Sequence, residues 1–145
     1  MRAKFVNEKF TDESDPIKDL GIGKRRLIEM WLQTWNIKNY TINKDLTIDV
    51  NDTVNMVYQQ IEKLPYYIQF GIIKGSFFCN NCGLITFKGM PHTIKGILGC
   101  AGNKIKTLKY MPKEIERSLF IDRNPIKFTE NEIRSLCNVK GDVYV

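Results

Sequence analysis

The chain has 145 residues, of which 43% are hydrophobic and 26% are charged. This size and balance are typical of one globular domain that needs no metal or disulfide to fold. No apolar run approaches the ~20 residues that cross a bilayer, and the first residues lack the apolar core of a signal peptide. We therefore expect a cytoplasmic protein whose four cysteines are reduced thiols.

The net charge of +6 is unevenly distributed along the chain. Residues 63–113 contain lysines but no Asp or Glu. A field of one sign attracts an acidic partner and speeds its encounter. Two pairs of these lysines share one spacing, which predicts basic columns that steer a partner: Lys74 with Lys95, and Lys88 with Lys109.

The N-terminal part is predicted to be an arm followed by a helix. Residues 1–15 are polar and mixed in charge, so we expect a flexible arm there. From about Lys24, apolar residues recur at spacings of three and four, which predicts an amphipathic helix whose apolar side packs on a core. The stripe comprises Leu27, Ile28, Trp31, Leu32 and Trp35.

A β-hairpin is predicted to follow the helix. Residues 46–50 alternate between apolar and polar, Asn51-Asp52 fits a turn, and residues 53–56 continue the alternation. Residues 16–56 are therefore expected to form a helix and hairpin cap at one end of the domain.

An internal repeat begins after this hairpin. Segments 77–84, 98–105 and 119–126 each carry apolar residues at the first, third and eighth places. Weaker copies begin at Val54, with Gln59 at the sixth place, and at Val143. Stacked coils bury apolar faces that one coil cannot bury alone, and their strands align into a parallel sheet. The sixth side chain should point inward and satisfy buried main-chain groups: Cys82, Asn103 and Asn124.

This pattern resembles the leucine-rich repeat, Leu-x-Leu-x-x-(Asn/Cys)-x-Leu. Phe87 and Leu108 fill the next apolar position of that repeat, and Phe128 substitutes in the third copy, where Thr129 occupies the place. Thr129 and Glu132 fit a capping box, which predicts a short helix. About residues 24–145 also resemble uncharacterised leucine-rich-repeat proteins of tailed bacteriophages.

The resemblance implies an α/β fold. Residues 54–145 would form a short leucine-rich-repeat solenoid with a parallel β-sheet on its concave face, in a single domain with the N-terminal cap. It implies nothing definite about activity.

Outward strand positions are the candidate partner-binding site. Side chains between the two inward positions of each strand should leave the sheet in one row, which includes Gly99. Exposed aromatic side chains usually mark an interface. The candidate residues are Phe78, Ile97, Phe120, Asp122 and Tyr144. Alternatively, the N-terminal segment or a dimer mate covers this row.

No catalytic residue, metal or cofactor is assigned. Cys79-x-x-Cys82 with His92 and Cys100 permits a zinc site, but the repeat assigns these cysteines to structural positions instead. No phosphate-binding glycine motif or spaced carboxylate pair is present.

The expected function is therefore a non-enzymatic protein–protein interaction module. The phage resemblance implies a virion component or a protein that binds a host factor in the host cytoplasm. The alternative is a nucleic-acid-binding protein that uses the lysine-rich segment 63–113. The oligomeric state stays open.

Overall fold

Apolar residues at matching places make the chain coil back on itself, so that each coil packs on the one before. The structure is a computed structural model that describes residues 23–145, so the predicted arm at residues 1–15 lies outside the described residues. It is a small α/β protein, wound as a β-solenoid with a five-stranded and a six-stranded sheet.

The five-stranded sheet is entirely parallel and confirms the predicted coil register. Its five strands lie in chain order across the sheet, one from each successive coil. Inward residues at their first positions align one above another and are mostly fully buried, each contributing about 1.5–3 kcal/mol to stability. The strands are β3 (Val54–Asn55), β5 (Phe77–Phe78), β7 (Leu98–Gly99), β9 (Leu119–Phe120) and β11 (Val143–Tyr144).

A second sheet, which the sequence did not predict, faces the first across the core. Its order is β1-β2-β4-β6-β8-β10, and only the β1–β2 pair is antiparallel. Inward residues Ile73, Ile94 and Ile115 stack through successive coils and are fully buried. The strands are β1 (Tyr40–Ile42), β2 (Ile48–Val50), β4 (Phe70–Ile73), β6 (Thr93–Ile94), β8 (Glu114–Ile115) and β10 (Asn138–Val139).

The predicted hairpin over residues 46–56 is wrong. β2 pairs with β1 and lies in the six-stranded sheet, whereas β3 lies in the five-stranded sheet. The residues between them, 51–53, turn the corner between the two sheets, as residues 74–76 and 95–97 do in later coils. The alternation in the sequence arose because Val50 and Val54 both point into the same core from different sheets.

The helix predicted from Lys24 is present as α1 (Lys24–Thr34). Ile28 and Leu32 are completely buried, and the other members of the stripe are half-buried. Trp31 contacts Phe70 edge-on, with ring centroids 6.2 Å apart. This helix therefore covers apolar side chains of β4. Neither α1 nor any other helix within residues 23–145 has the length and apolar character that crossing a membrane requires.

The second helix, α2 (Glu130–Leu136), begins with the predicted capping box. The Thr129 hydroxyl accepts from the Glu132 main-chain N–H at 3.1 Å, while the Glu132 carboxylate accepts from the Thr129 N–H at 2.9 Å. Phe128 is buried and Thr129 is exposed, so Phe128 supplies the apolar side chain of this copy, as predicted.

Arg134 of α2 ends the ladder of main-chain hydrogen bonds at the last corner. In earlier coils, the Gly96 oxygen accepts from the Arg117 N–H, and the Arg117 oxygen accepts from the Gly141 N–H. No further coil follows within the described chain to bond the Gly141 oxygen. The Arg134 guanidinium donates to it at 2.9 Å, and to the Val139 oxygen at 2.5 Å. One side chain thus replaces two donors of a following coil.

Candidate interaction surface

Asn103 lies at an inward bend and joins two coils through its side-chain amide. Its Oδ1 accepts from the main-chain N–H groups of Cys82 at 2.9 Å and Leu84 at 3.0 Å. Its Nδ2 donates to the main-chain oxygens of Cys79 at 2.9 Å and Cys100 at 3.0 Å. One buried amide therefore bonds four main-chain groups, of which, within the described chain, only the Cys100 oxygen has a second donor, the Asn124 amide.

Asn124 and Cys82 occupy the equivalent bends in neighbouring coils. The Asn124 amide accepts from the Ile105 N–H at 2.9 Å and donates to the Cys100 oxygen at 3.2 Å. The Cys82 thiol donates to the Met56 oxygen at 2.8 Å. The structure thus places the three predicted ladder residues in one column, one coil apart.

Gln59 does not extend this column, contrary to the sequence prediction. Its side chain is exposed, whereas its neighbours Val54, Met56 and Ile61 are buried as predicted. The first coil therefore has no inward amide of its own, and the Cys82 thiol bonds its main chain instead.

The outward row of the five-stranded sheet contains the predicted aromatic residues. Parallel pairing places Phe78, Gly99, Phe120 and Tyr144 in order across adjacent strands. The Phe120 and Tyr144 rings stack at 4.4 Å with planes 9° apart. Tyr144 is 45% exposed and Phe120 is half-buried, so this stack presents an apolar, π-rich surface to solvent. We name the outward side of this sheet the aromatic face.

Gly99 is buried rather than forming an open gap in the row. A Cβ at this position would lie 2.8 Å from the Asn80 Nδ2 and 3.0 Å from a carbon of the Phe78 ring. Both side chains therefore cover the Gly99 main chain. A larger residue at position 99 would have to displace the Asn80 and Phe78 side chains.

Hydroxyl groups reinforce one edge of the aromatic face. The Ser76 Oγ accepts from the Ile97 N–H at 2.9 Å, and the Ser118 Oγ accepts from the Asp142 N–H at 3.2 Å. Ile97, directly before β7, is half-buried and supplies an apolar side chain at this edge. Hydrogen bonds between coils therefore hold this part of the surface in a fixed position.

Two carboxylates, Asp122 and Asp142, lie close in sequence to the stacked aromatic residues. Asp142 accepts from the Tyr144 hydroxyl at 3.4 Å. Asp122 lies two residues after Phe120 and forms an ion pair with Arg123 at 3.3 Å. These positions were not identified as an acidic site from the sequence, because each carboxylate lies on a different coil.

The predicted lysine columns are only partly basic. Lys74 and Lys95 follow β4 and β6 of the six-stranded sheet, but Glu116 takes the same place in the next coil. The Lys95 ammonium binds the Glu116 carboxylate at 2.7 Å, and this contact raises the Lys95 pKa. Residues 63–113 contain no Asp or Glu, but in the folded structure the Glu116 carboxylate lies beside Lys95 of this segment.

Lys88 and Lys109 lie on the segments that connect the five-stranded sheet to the six-stranded one. Both are exposed, and the Lys109 ammonium lies 5.0 Å from the Tyr110 ring centroid. None of the four predicted steering lysines is on a strand of the aromatic face.

The cysteines are buried free thiols. Burial raises the pKa of Cys79 and Cys100 well above the usual range, and raises that of Cys137 to about 11. Cys79 and Cys100 take the inward positions of adjacent coils. His92 is exposed, and its Nδ1 lies 2.9 Å from the Thr93 hydroxyl. Residues 23–145 contain no cluster of three or more His, Cys, Asp or Glu side chains suited to a metal ion.

No protein-family model matches this chain, and no curated protein or solved structure shows significant similarity to it.

Proposed function

We propose that this chain is a non-enzymatic protein-interaction module that binds its partner through the aromatic face. The observation that carries the proposal is the Phe120–Tyr144 stack, which is partly exposed on a sheet held rigid by bonds between coils. Rigid, amphipathic aromatic side chains give contact area at little entropic cost and dominate interface energetics.

The proposed fold family is the leucine-rich repeat, with α1 and the β1–β2 pair closing its N-terminal end. The hydrogen bonds that the side-chain amides of Asn103 and Asn124 form between coils support this assignment, as do the aligned apolar positions of successive coils. The burial of Ile28 and Leu32 supports a closing role for α1. The six-stranded, mostly parallel sheet is an addition to the expected single-sheet arrangement.

The proposed setting is a bacteriophage infection. The resemblance of residues 24–145 to phage leucine-rich-repeat proteins is its support. In that setting the partner is a host factor in the host cytoplasm or another component of the virion.

The test compares two paired substitutions that each remove two aromatic rings. Phe78→Ala with Phe120→Ala removes rings from the aromatic face. Tyr58→Ala with Tyr110→Ala removes rings that are 76% and 50% exposed outside that face. Tagged forms would be used to capture partners from cells that naturally contain the protein, with mass spectrometry to identify them.

We expect the first pair to lose a partner that the second pair retains, while circular dichroism shows both folded. A partner retained equally by both pairs would remove the aromatic face from the proposal.

A further inference from the structure

Two carboxylates lie beside the exposed Phe120–Tyr144 stack of the aromatic face. Asp142 is exposed and lies two residues before Tyr144, just ahead of β11, and its carboxylate accepts a hydrogen bond from the Tyr144 hydroxyl at 3.4 Å. Asp122 lies two residues after Phe120, just beyond the end of β9. The Phe120–Tyr144 stack therefore lies between two negative groups, one beyond each end of the paired strands.

This combination suits a guanidinium better than other groups. A planar cation stacks on an aromatic ring, which attracts it through the negative ring face. Carboxylates bind the same group through charge-assisted hydrogen bonds. Arginine can make both contacts at once, whereas lysine presents a compact, strongly hydrated charge.

Arg123 is the nearby cation that competes for this surface. It bonds Asp122 through Nε at 3.3 Å, and the two side chains are 64% and 38% exposed. Ion pairs this exposed contribute little, because water and salt screen them. An arriving guanidinium can therefore replace Arg123 at Asp122 at small cost, whereas Asp142 accepts a long hydrogen bond, 3.4 Å, from the neutral Tyr144 hydroxyl.

We propose that the partner presents an arginine-containing extended segment, with a guanidinium on the exposed Tyr144 ring between Asp122 and Asp142. This rests on the proposed function and names the chemistry of its partner. The lysine-rich segment predicts an acidic partner, whereas this proposal names a basic one. The predicted steering lysines lie on other surfaces than the aromatic face. The net charge of +6 repels a polycation, so such a segment binds only where local carboxylates and rings overcome that repulsion.

The test uses fluorescent peptides of about eight residues that alternate glycine with arginine, lysine or glutamate, at about 0.1 M salt, where distant charges are screened. Fluorescence anisotropy of the full chain measures binding. We expect the arginine peptide to bind more tightly than the lysine peptide by about threefold or more. We expect the glutamate peptide not to bind through this face.

Matched charge variants locate the site. Asp122→Asn with Asp142→Asn is expected to weaken arginine-peptide binding by about tenfold or more. Glu29→Gln with Glu62→Gln changes the net charge equally, away from the aromatic face, and is expected to leave binding unchanged. Tyr144→Ala should reduce the preference for arginine over lysine, because the ring supplies that preference.

The proposal is overturned by equal effects of the two charge pairs, by no preference for arginine, or by no binding of the arginine peptide. The proposed function fails separately, when the Phe78→Ala with Phe120→Ala variant captures the natural partner as well as the unchanged protein does. A glutamate peptide that binds through Phe78 and Phe120 would reject the basic partner while supporting the aromatic face.

Discussion

The side-chain amide of Asn103 donates a hydrogen bond to the main-chain oxygen of Cys79, one coil earlier, at 2.9 Å. This side-chain amide also forms hydrogen bonds with the main-chain N–H groups of Cys82 and Leu84 and with the main-chain oxygen of Cys100. Asn103→Ala would leave several buried main-chain groups without partners, each costing about 1–3 kcal/mol. We expect the free energy of unfolding to fall by about 3 kcal/mol or more in urea denaturation.

Two related variants control for this effect. Asn124→Ala should cost less, because Asn124 is only half-buried and water can reach the groups it leaves. Asn103→Cys should retain part of the stability, since Cys82 serves at the same bend with a thiol. An Asn103→Ala loss smaller than that of Asn124→Ala would contradict the role assigned to the buried amide.

Arg134 is expected to stabilise the last coil selectively. Arg134→Ala removes the donors to the Val139 and Gly141 oxygens, and hydrogen bonds from a charged group contribute about 1.5–3 kcal/mol. Hydrogen exchange should accelerate in β8 and β10 and change little in β2 and β4. Glu130→Gln breaks the exposed ion pair with Arg134 but leaves the main-chain bonds, and should cost less than about 1 kcal/mol. Equal losses for the two variants would argue against the assigned contact.

Gly89 is expected to tolerate no side chain. Its φ is +90°, and a Cβ there would lie 2.7 Å from the Ile68 oxygen. Gly89→Ala should therefore lower the free energy of unfolding by about 2 kcal/mol or more, through backbone strain and the clash. Tyr110 is one coil further on, with φ of 69° and an exposed side chain, so Tyr110→Ala should change stability by less than about 1 kcal/mol. Chemical denaturation of both variants measures the difference.

The sequence predicted the coil register correctly because two residue types, Asn and Cys, recur at one place for a physical reason. Cys82, Asn103 and Asn124 all satisfy main-chain groups at a bend, and that need is visible in a single sequence. The six-stranded sheet gave a weaker signal. Most strands of the two sheets contain only two residues, too few for alternation to be recognised, and no Asn or Cys recurs at one place in the six-stranded sheet.

The surface was predicted less well than the core. Backbone register gives the direction in which Phe78 leaves its strand, but not that its ring covers Gly99. The Lys95–Glu116 ion pair joins adjacent coils, so a search for acid-free runs along the chain misses it. Charges on a solenoid must be compared across coils, because neighbours in space are one repeat apart in sequence.

The buried thiols are expected to make stability fall at high pH. Unfolded cysteines ionise near pH ~8.5, whereas burial raises the folded pKa of Cys137 to about 11 and those of Cys79 and Cys100 well above their usual range. Below the unfolded pKa both states are protonated, and the contribution is constant. Above it only the unfolded chain releases protons, so stability decreases as pH rises toward the folded pKa.

Denaturation at several pH values from about 7 to 11 measures this slope. Cys137→Ala should make the dependence of stability on pH less steep. The lysines and tyrosines contribute equally in the variant and in the unchanged protein. The slope attributable to this thiol is the difference between the two curves. Identical slopes would show that the Cys137 thiol ionises as readily in the folded chain as in the unfolded one.

Nucleic acid is not expected to bind the predicted lysine columns. Binding to a phosphate backbone requires several cations on one surface and weakens steeply with salt. Glu116 pairs with Lys95 inside the column that Lys74 begins, and Lys109 lies by the Tyr110 ring on a different segment. Single-stranded DNA or RNA should therefore show no retarded band in a gel shift at about 50 mM salt, where electrostatic binding is strongest. Glu116→Gln, which frees Lys95, is the sensitive control. A band that forms with the unchanged protein, disappears at higher salt and is lost in Lys74→Ala with Lys95→Ala would establish the nucleic-acid alternative instead.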